Sequence, residues 1–344
     1  MCRSIILELQ YWQKSNPDVI INTLYIGGGN PGILNCDELD FFLGQLFQFI
    51  DPDKIIEKSI ETNPLSVSSQ KIQTLNKYSF NRLSLGIQTL NNKSRKIINR
   101  KGQKKIILEK IDLVTNKFTG TLNLDFIYLL PGETSESFLS NIEEVLNFQP
   151  GHLSLYQLTL ENQNVFFQKC QLAKKENDFL NPENIYKTEK AFKNTLQNHK
   201  YIQYEVSNWA KTNIDYCLHN YQYWQYRDFI GLGPGAVSMY KQKRWQNEQN
   251  IKDYCLALSQ GKGPPRKIEI LSEEIRQFEF FMMGLRLSKG IEIKSFFHQF
   301  SESPLHIKKV QKLIDEKKLI VDNDNIRVAE NYKHLLNNVL MELL

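Results

Sequence analysis

A strand-then-helix rhythm constrains this chain more than any other feature. Segments 21–26, 55–60, 82–87, 121–130 and 152–160 are apolar enough, and β-branched enough, to read as strands. Helical periodicity fills 4–14, 36–49, 68–77, 92–116 and 135–147, before and between them. Strands that alternate with helices pair in parallel, because a parallel partner needs a crossover long enough to hold a helix. The first half of the chain is therefore expected to be α/β, with a parallel sheet or a (β/α) barrel. Each strand also ends in polar or glycine-rich residues: Gly27-Gly28-Gly29, Glu61-Thr62-Asn63-Pro64, Gln88-Thr89 and Pro131-Gly132. Those ends are where ligands bind in parallel α/β proteins, since the loops converge there.

The second half changes character. Residues 171–200 read as helical and charged, and 201–240 as rich in aromatics and glycine with little periodicity. The linker Gln260-Gly261-Lys262-Gly263-Pro264-Pro265 follows. Helices are expected at 272–287 and 305–317. Leu319-Ile320-Val321 and Ile326-Arg327-Val328, around a turn at Asp322-Asn323-Asp324-Asn325, read as a hairpin. Together they predict a small α+β, winged-helix-like domain over 246–344, after a larger domain over 1–245.

Charge narrows the function. The 344 residues carry 43 basic and 38 acidic side chains, a net charge of +5. The lysines are scattered, with no basic stripe interleaved with stacking aromatics, so no nucleic-acid partner is expected. No apolar run reaches the ~20 residues of a membrane-spanning helix. The first apolar run is broken by Glu8 and no small-residue cleavage site follows, so the N-terminus does not read as a signal peptide. A cytoplasmic location is expected.

The residues at the strand ends suggest a ligand site. Gly27-Gly28-Gly29-Asn30-Pro31 lets a ligand approach free backbone N–H groups, because glycine has no Cβ. Glu61 can accept from an ammonium or hydroxyl, Gln88 ends the next strand, and Asp125 lies in the one after.

The same residues carry a resemblance. Tyr25-Ile26-Gly27-Gly28-Gly29-Asn30-Pro31 resembles the YIGGGTPS motif of the oxygen-independent coproporphyrinogen III oxidase-like radical SAM family. Glu61-Thr62-Asn63-Pro64 resembles its E-x-N-P, and Asn81 to Thr89 its NRLSLGVQS. Asn123 to Thr134 resembles NLDLIYGLPGQT, and His152 to Thr159 resembles HISLYQLT. The likeness runs on through Tyr204 to Ala210, Gly231 to Ser238 and Phe281 to Leu287, so it covers nearly the whole chain in order. It implies a radical-SAM (β/α)6-type barrel, here a partial one missing its first strand, followed by a HemN-type C-terminal domain.

The resemblance also implies a site for S-adenosylmethionine (SAM). Gly28 and Gly29 would receive the methionine end. Glu61, Gln88, Arg100 and Asp125 would take polar groups of methionine and ribose, and Thr159 and Val237 would line the adenine side. Asn30 stands where the family has threonine and Gly32 where it has serine; asparagine still donates and accepts. Further on, His219-Asn220-x-x-Tyr223 matches the HNxxY haem motif of the haem-chaperone (HemW-type) branch. A neutral imidazole is a good axial ligand for haem iron, so His219 is the expected ligand, with Asn220 and Tyr223 beside it. Tyr221, Trp224 and Tyr226 supply aromatic faces for a porphyrin. The implied function is a haem-binding chaperone that inserts haem into acceptor proteins. The alternative is a coproporphyrinogen-oxidase-like enzyme of porphyrin metabolism. Haem and haem-accepting respiratory proteins are the implied partners, with peripheral membrane contact and homodimerisation admitted.

One family feature is missing. A C-x3-C-x2-C loop precedes these motifs in the family; its three thiolates hold a [4Fe–4S] cluster, and SAM chelates the fourth iron. Cys2, Cys36, Cys170, Cys217 and Cys255 are too scattered to supply it. The sequence as given begins at the helix that follows that loop. Truncation of the N-terminus is the expectation, with a naturally cluster-free relative as the other reading.

Overall fold

The computed structural model describes residues 1–160 and 180–344. The expected helix over 171–200 therefore lies partly outside the described residues. Helix α1 (Cys2–Ser15) leads into β1 (Thr23–Ile26), and α2 (Cys36–Leu46) into β2 (Glu57–Thr62). Then come α3 (Ser69–Lys77), β3 (Arg82–Gln88), α4 (Asn92–Ile97), α5 (Lys104–Lys117), β4 (Thr121–Tyr128), α6 (Ser135–Leu146) and β5 (His152–Gln157). Strands β1 to β5 pair in parallel in chain order. Past α7 (Pro182–Asn198), two short strands, β6 (Ile202–Gln203) and β7 (Asn208–Ala210), extend the sheet. Strand β7 runs antiparallel to β5, and β6 antiparallel to β7. Among the described residues the result is an open seven-stranded sheet, not a closed barrel.

Local chemistry sets the boundaries. Asn35 caps α2, accepting from Glu38 N–H while Glu38 reaches back to the Asn35 N–H, a reciprocal capping box. The helix expected over 92–116 is broken in two. Asn99 (φ 55°) and Gly102 (φ 87°) turn the chain through left-handed conformations between α4 and α5. Strand β2 continues past residue 60 to include Glu61 and Thr62, and β4 stops at Tyr128, before Leu129 at φ 63°.

The segment 201–240 is more ordered than its composition suggested. It holds β6, β7, α8 (Leu218–Trp224) and β8 (Val237–Tyr240). Strand β8 pairs with β9 (Lys243–Asn247); after α9 (Ile251–Ser259), β10 (Arg266–Ile270) completes a three-stranded antiparallel sheet. The C-terminal part contains α10 (Glu273–Gly284), β11 (Ile291–Glu292), α11 (Ile293–Phe300) and α12 (Lys308–Asp315). The hairpin of β12 (Leu319–Asp322) and β13 (Asn325–Val328) follows, then α13 (Leu336–Met341). Four helices, α10 to α13, and a β11-β13-β12 sheet match the small α+β, winged-helix-like expectation. The hairpin turns through Asn323 and Asp324, both at positive φ, as a two-residue hairpin loop requires. The buried apolar residues form two main clusters. One lies around the parallel sheet and its helices; the other, centred on Phe280, Phe296 and Ile326, lies in the C-terminal part.

Candidate functional site

The faces of the parallel strands explain how the site arises. Side chains alternate along a strand, so Glu57, Ser59 and Glu61 share one face of β2, and Arg82, Ser84 and Gly86 one face of β3. Asn123 and Asp125 do the same on β4, and His152, Ser154 and Tyr156 on β5. Their intervening neighbours Ile60, Leu83, Leu85, Leu124, Leu153 and Leu155 are buried in the apolar core. One side of the sheet is therefore polar, and the first part of the 201–240 segment folds against it.

Glu61 organises the strand-end loops. Its Oε1 accepts from the Gly28 N–H at 2.8 Å and the Gly29 N–H at 3.3 Å, and its Oε2 accepts from the Tyr25 hydroxyl at 3.0 Å. Gly28 sits at φ 78°, and a Cβ added at Gly28 or Gly29 would meet nothing within 4 Å, so the loop borders open space. Asn30 ties this loop to the next: its Oδ1 accepts from the Asn63 N–H at 3.2 Å, and its Nδ2 donates to Ser66 Oγ at 3.2 Å. A Cβ at Gly32 would collide with the Thr62 hydroxyl, which itself donates to Asn30 Oδ1 at 3.4 Å. Thus Asn30, Gly32 and Thr62 replace the family's threonine and serine as a fitted set.

A cavity of 210 Å³ lies against this polar face, lined by Tyr25, Glu61, Arg82, Ser84, Gln88, Asn123, Asp125, His152, Ser154, Tyr156, Cys217 and Asn220. Three of the SAM residues expected from sequence, Glu61, Gln88 and Asp125, are brought together here. Gln88 adopts φ 67°, at a register shift between β3 and β4; such strain in a side-chain-bearing residue is typical of binding sites. Asp125 accepts from Ser84 Oγ and, at 2.8 Å, from Asn123 Nδ2. Burial raises its pKa, against the lowering effect of these hydrogen bonds. Arg100 does not line the cavity. The chain turns at Asn99, the Arg100 N–H bonds to Arg95 O at 2.8 Å, and Arg100 is exposed. Arg95 is the buried guanidinium of that turn, donating to the carbonyls of Ile87, Thr89, Lys101 and Gly102. Thr159 and Val237 are both exposed and stand outside the cavity lining.

The HNxxY segment forms α8, and its start is held by a residue that the motifs did not single out. Glu57 accepts from the Leu218 N–H at 2.7 Å, the His219 N–H at 3.1 Å and the Ser59 hydroxyl at 2.9 Å. Arg82 pairs with Glu57 at 3.3 Å, both almost wholly buried. A carboxylate at the first N–H groups of a helix satisfies donors that have no partner within it. His219 lies between two hydroxyls: Nδ1 is 2.9 Å from Thr23 Oγ1, and Nε2 3.0 Å from Tyr223 Oη. Its ring stacks on Tyr25, with centroids 5.2 Å apart and planes at 23°. Burial lowers the His219 pKa, partly offset by Glu57, which favours the neutral imidazole that metal ligation requires. Asn220 lines the same cavity as Glu61, Gln88 and Asp125.

Glu57, Arg82, His152 and Tyr204 are the positions that sequence reading overlooked as site residues. The signal was present. Strands of a parallel sheet are usually apolar on both faces, so polar residues at every second position of β2 to β5 mark an unusual, solvated or ligand-facing side.

Open backbone at Gly28 and Gly29, with Glu61 and a buried Asp125 close by, fits an amino acid joined to a nucleoside, as in SAM. An iron–sulfur cluster does not fit: among the described residues no three His, Cys, Asp or Glu side chains form a metal-binding group. Cys217 is buried, with its thiol pushed up to about 12 by desolvation and by Glu57, the opposite of a thiolate ligand.

Fold and site together define a radical-SAM-type α/β protein with a distinct C-terminal domain. Comparisons with known proteins agree. The radical SAM superfamily model matches residues 8–145, and the HemN C-terminal domain model matches residues 271–331. Coproporphyrinogen III oxidase (HemN) from Escherichia coli shares the fold, with a TM-score of 0.82 over 99% of this chain and 82% of that one, at 20% identity. The heme chaperone HemW of Buchnera aphidicola subsp. Acyrthosiphon pisum is 32% identical over 321 residues, 93% of this chain and 83% of that protein. The HemW of Lactococcus lactis is 29% identical over 345 residues, 99% of this chain and 88% of that protein. The chain belongs to the HemW family of radical SAM proteins.

Proposed function

We propose that this protein binds haem through His219, with Asn220 and Tyr223 beside it, and passes it to haem-accepting proteins in the cytoplasm. The scaffold retains a pocket for SAM built from Gly28, Gly29, Asn30, Glu61, Gln88 and Asp125. The observation that carries this reading is the placement of His219: a neutral imidazole on a helix whose next residue, Asn220, lines the cavity of the SAM residues. The relatives named heme chaperones support it over nearly the full chain. His219 would hold the haem iron through an imidazole nitrogen, with Asn220 and Tyr223 beside it. A coproporphyrinogen-oxidase-like activity is the alternative reading, and it would require a [4Fe–4S] cluster.

Haem titration followed by Soret absorbance is the test. Wild type is expected to give a saturable Soret shift, and His219→Ala to lose it or weaken binding about tenfold or more. Equal titration curves would remove His219 as the ligand. Anaerobic reconstitution of the 344-residue chain with iron and sulfide is expected to yield no stoichiometric cluster. A four-iron cluster, seen by iron and sulfide analysis, would restore the enzyme reading.

A further inference from the structure

Tyr25 belongs to both halves of the site. Its hydroxyl donates to Glu61 Oε2 at 3.0 Å, while its ring stacks on His219. A second link runs beneath. The Cys217 N–H donates to Tyr204 Oη at 3.1 Å, and the Tyr204 hydroxyl to His152 Nε2 at 2.8 Å. The His152 Nδ1–H then donates to Asn123 Oδ1 at 2.6 Å, and Asn123 Nδ2 to Asp125 Oδ1 at 2.8 Å. The direction of this chain is set by its donors: a backbone N–H and an amide Nδ2 can only donate, so Asn123 Oδ1 accepts from the His152 Nδ1–H, and the remaining nitrogen of the buried, neutral imidazole accepts from Tyr204. The start of α8 and the carboxylate of Asp125 are thus the two ends of one buried hydrogen-bond path.

The lower path is buried, and each of its polar groups has a partner; Tyr25 touches both sites through its side chain alone. In the arrangement observed, Thr23 and Tyr223 engage the two ring nitrogens of His219, and Tyr25 covers one face of the ring and so holds it in that orientation. Glu61 holds three donors, two of them backbone N–H groups fixed by the glycine loop. An ammonium or hydroxyl arriving at Glu61 competes with those donors. The Tyr25 side chain is the one that can yield, by rotating about its side-chain bonds. Its rotation frees the stacked face, so that the imidazole can turn away from the Tyr223 hydroxyl and present a ring nitrogen to iron.

We propose that Tyr25 is a positioning residue joining the two sites: a SAM-class ligand at Glu61 displaces Tyr25 and opens His219 to haem. This rests on the haem-binding function proposed above, and it adds a direction, with ligand in the cavity favouring haem on the helix. By linkage, haem strengthens binding of the nucleoside ligand equally.

The experiment is a haem titration, by Soret absorbance, with and without saturating SAM, whose own binding is followed by calorimetry. Wild type is expected to bind haem about fivefold more tightly with SAM present. Tyr25→Phe keeps the ring but loses the hydroxyl on Glu61, and its haem affinity is expected not to respond to SAM. Tyr204→Phe cuts the lower path and leaves Tyr25 intact; it is expected to keep the response. Identical wild-type haem affinity with and without SAM overturns the link while leaving haem binding standing, as does absence of SAM binding. A response kept in Tyr25→Phe and lost in Tyr204→Phe also overturns it. His219-independent haem binding removes the underlying function instead, and is recognised by His219→Ala titrating like wild type.

Discussion

Buried acids set the pH behaviour at the scale of single residues. Burial pushes the Glu133 carboxyl up to about 7, although Thr89 Oγ1 and Asn141 Nδ2 donate to its Oε1 and pull the other way. Its Oε2 has no partner among the described residues. The folded-state value lies above the ordinary 4.5, so the folded state binds this proton more tightly than the unfolded chain does. Its stabilising contribution is full below about 4.5 and is lost as pH rises through about 7. Glutamine imitates the protonated acid at this position, where the resembling motif reads PGQT. Glu133→Gln is therefore expected to be about 2 kcal/mol more stable than wild type at pH 8, and equally stable near pH 4. Urea melts at the two pH values check this; a constant difference between them would remove Glu133 as the titrating group. At this scale the motifs named the cavity-lining residues at strand ends, Glu61 and Gln88. They did not reveal Arg100 as exposed, because only the left-handed turn at Asn99 decides which of Arg95 and Arg100 points inward.

At the scale of elements, period and spacing in the sequence located five parallel strands and most of their helices. What the pattern hid were elements held by long-range partners. Helix α8 is short, and its start depends on Glu57, a residue some 160 positions earlier in the chain. No local propensity foretells that. The Glu57–Arg82 pair is buried, and Arg82 Nη1 has no hydrogen-bond partner among the described residues. Removing one member of such a pair strands the other charge, which costs about 3–5 kcal/mol, whereas replacing both costs far less. Glu57→Gln is expected to destabilise the protein by about 3 kcal/mol and to weaken haem binding, because α8 loses its anchor. Glu57→Gln with Arg82→Met is expected to recover much of the stability but not the haem affinity, since the helix start stays unanchored. Denaturation midpoints and Soret titrations on the single and double variants separate the two effects. Full recovery of haem binding in the double variant would show that Glu57 acts only by neutralising Arg82.

Across the whole molecule, a tie between distant parts of the sequence is made by a residue that first looked like an interruption. Glu8 breaks the apolar run of α1, yet its side chain is buried. Its carboxylate accepts from the Gly233 N–H at 2.8 Å, Asn247 Nδ2 at 2.7 Å and the Tyr254 hydroxyl at 2.6 Å. Helix α1 therefore fastens the loop before β8, the end of β9 and the side of α9, which is how the small antiparallel sheet is held to the first helix. The C-terminal part is joined separately: the Val206 N–H donates to Arg286 O at 3.0 Å and the Ser288 N–H to Tyr204 O at 2.9 Å. Because these are independent ties, loss of one loosens a region without detaching the rest. Glu8→Ala takes the acceptor from the buried Gly233 N–H and Tyr254 hydroxyl, at about 1–3 kcal/mol each before relaxation, and leaves Asn247 Nδ2 with only the Gly233 carbonyl. It is expected to lower stability by about 3 kcal/mol, with amide exchange accelerated in α1, β9 and α9 and little changed in β3 and β4. Hydrogen exchange read by mass spectrometry gives that map. Uniform acceleration across β3 and β4 as well would mean that Glu8 supports the whole fold as one cooperative unit, and that the parallel sheet does not stand apart from the helix that precedes it.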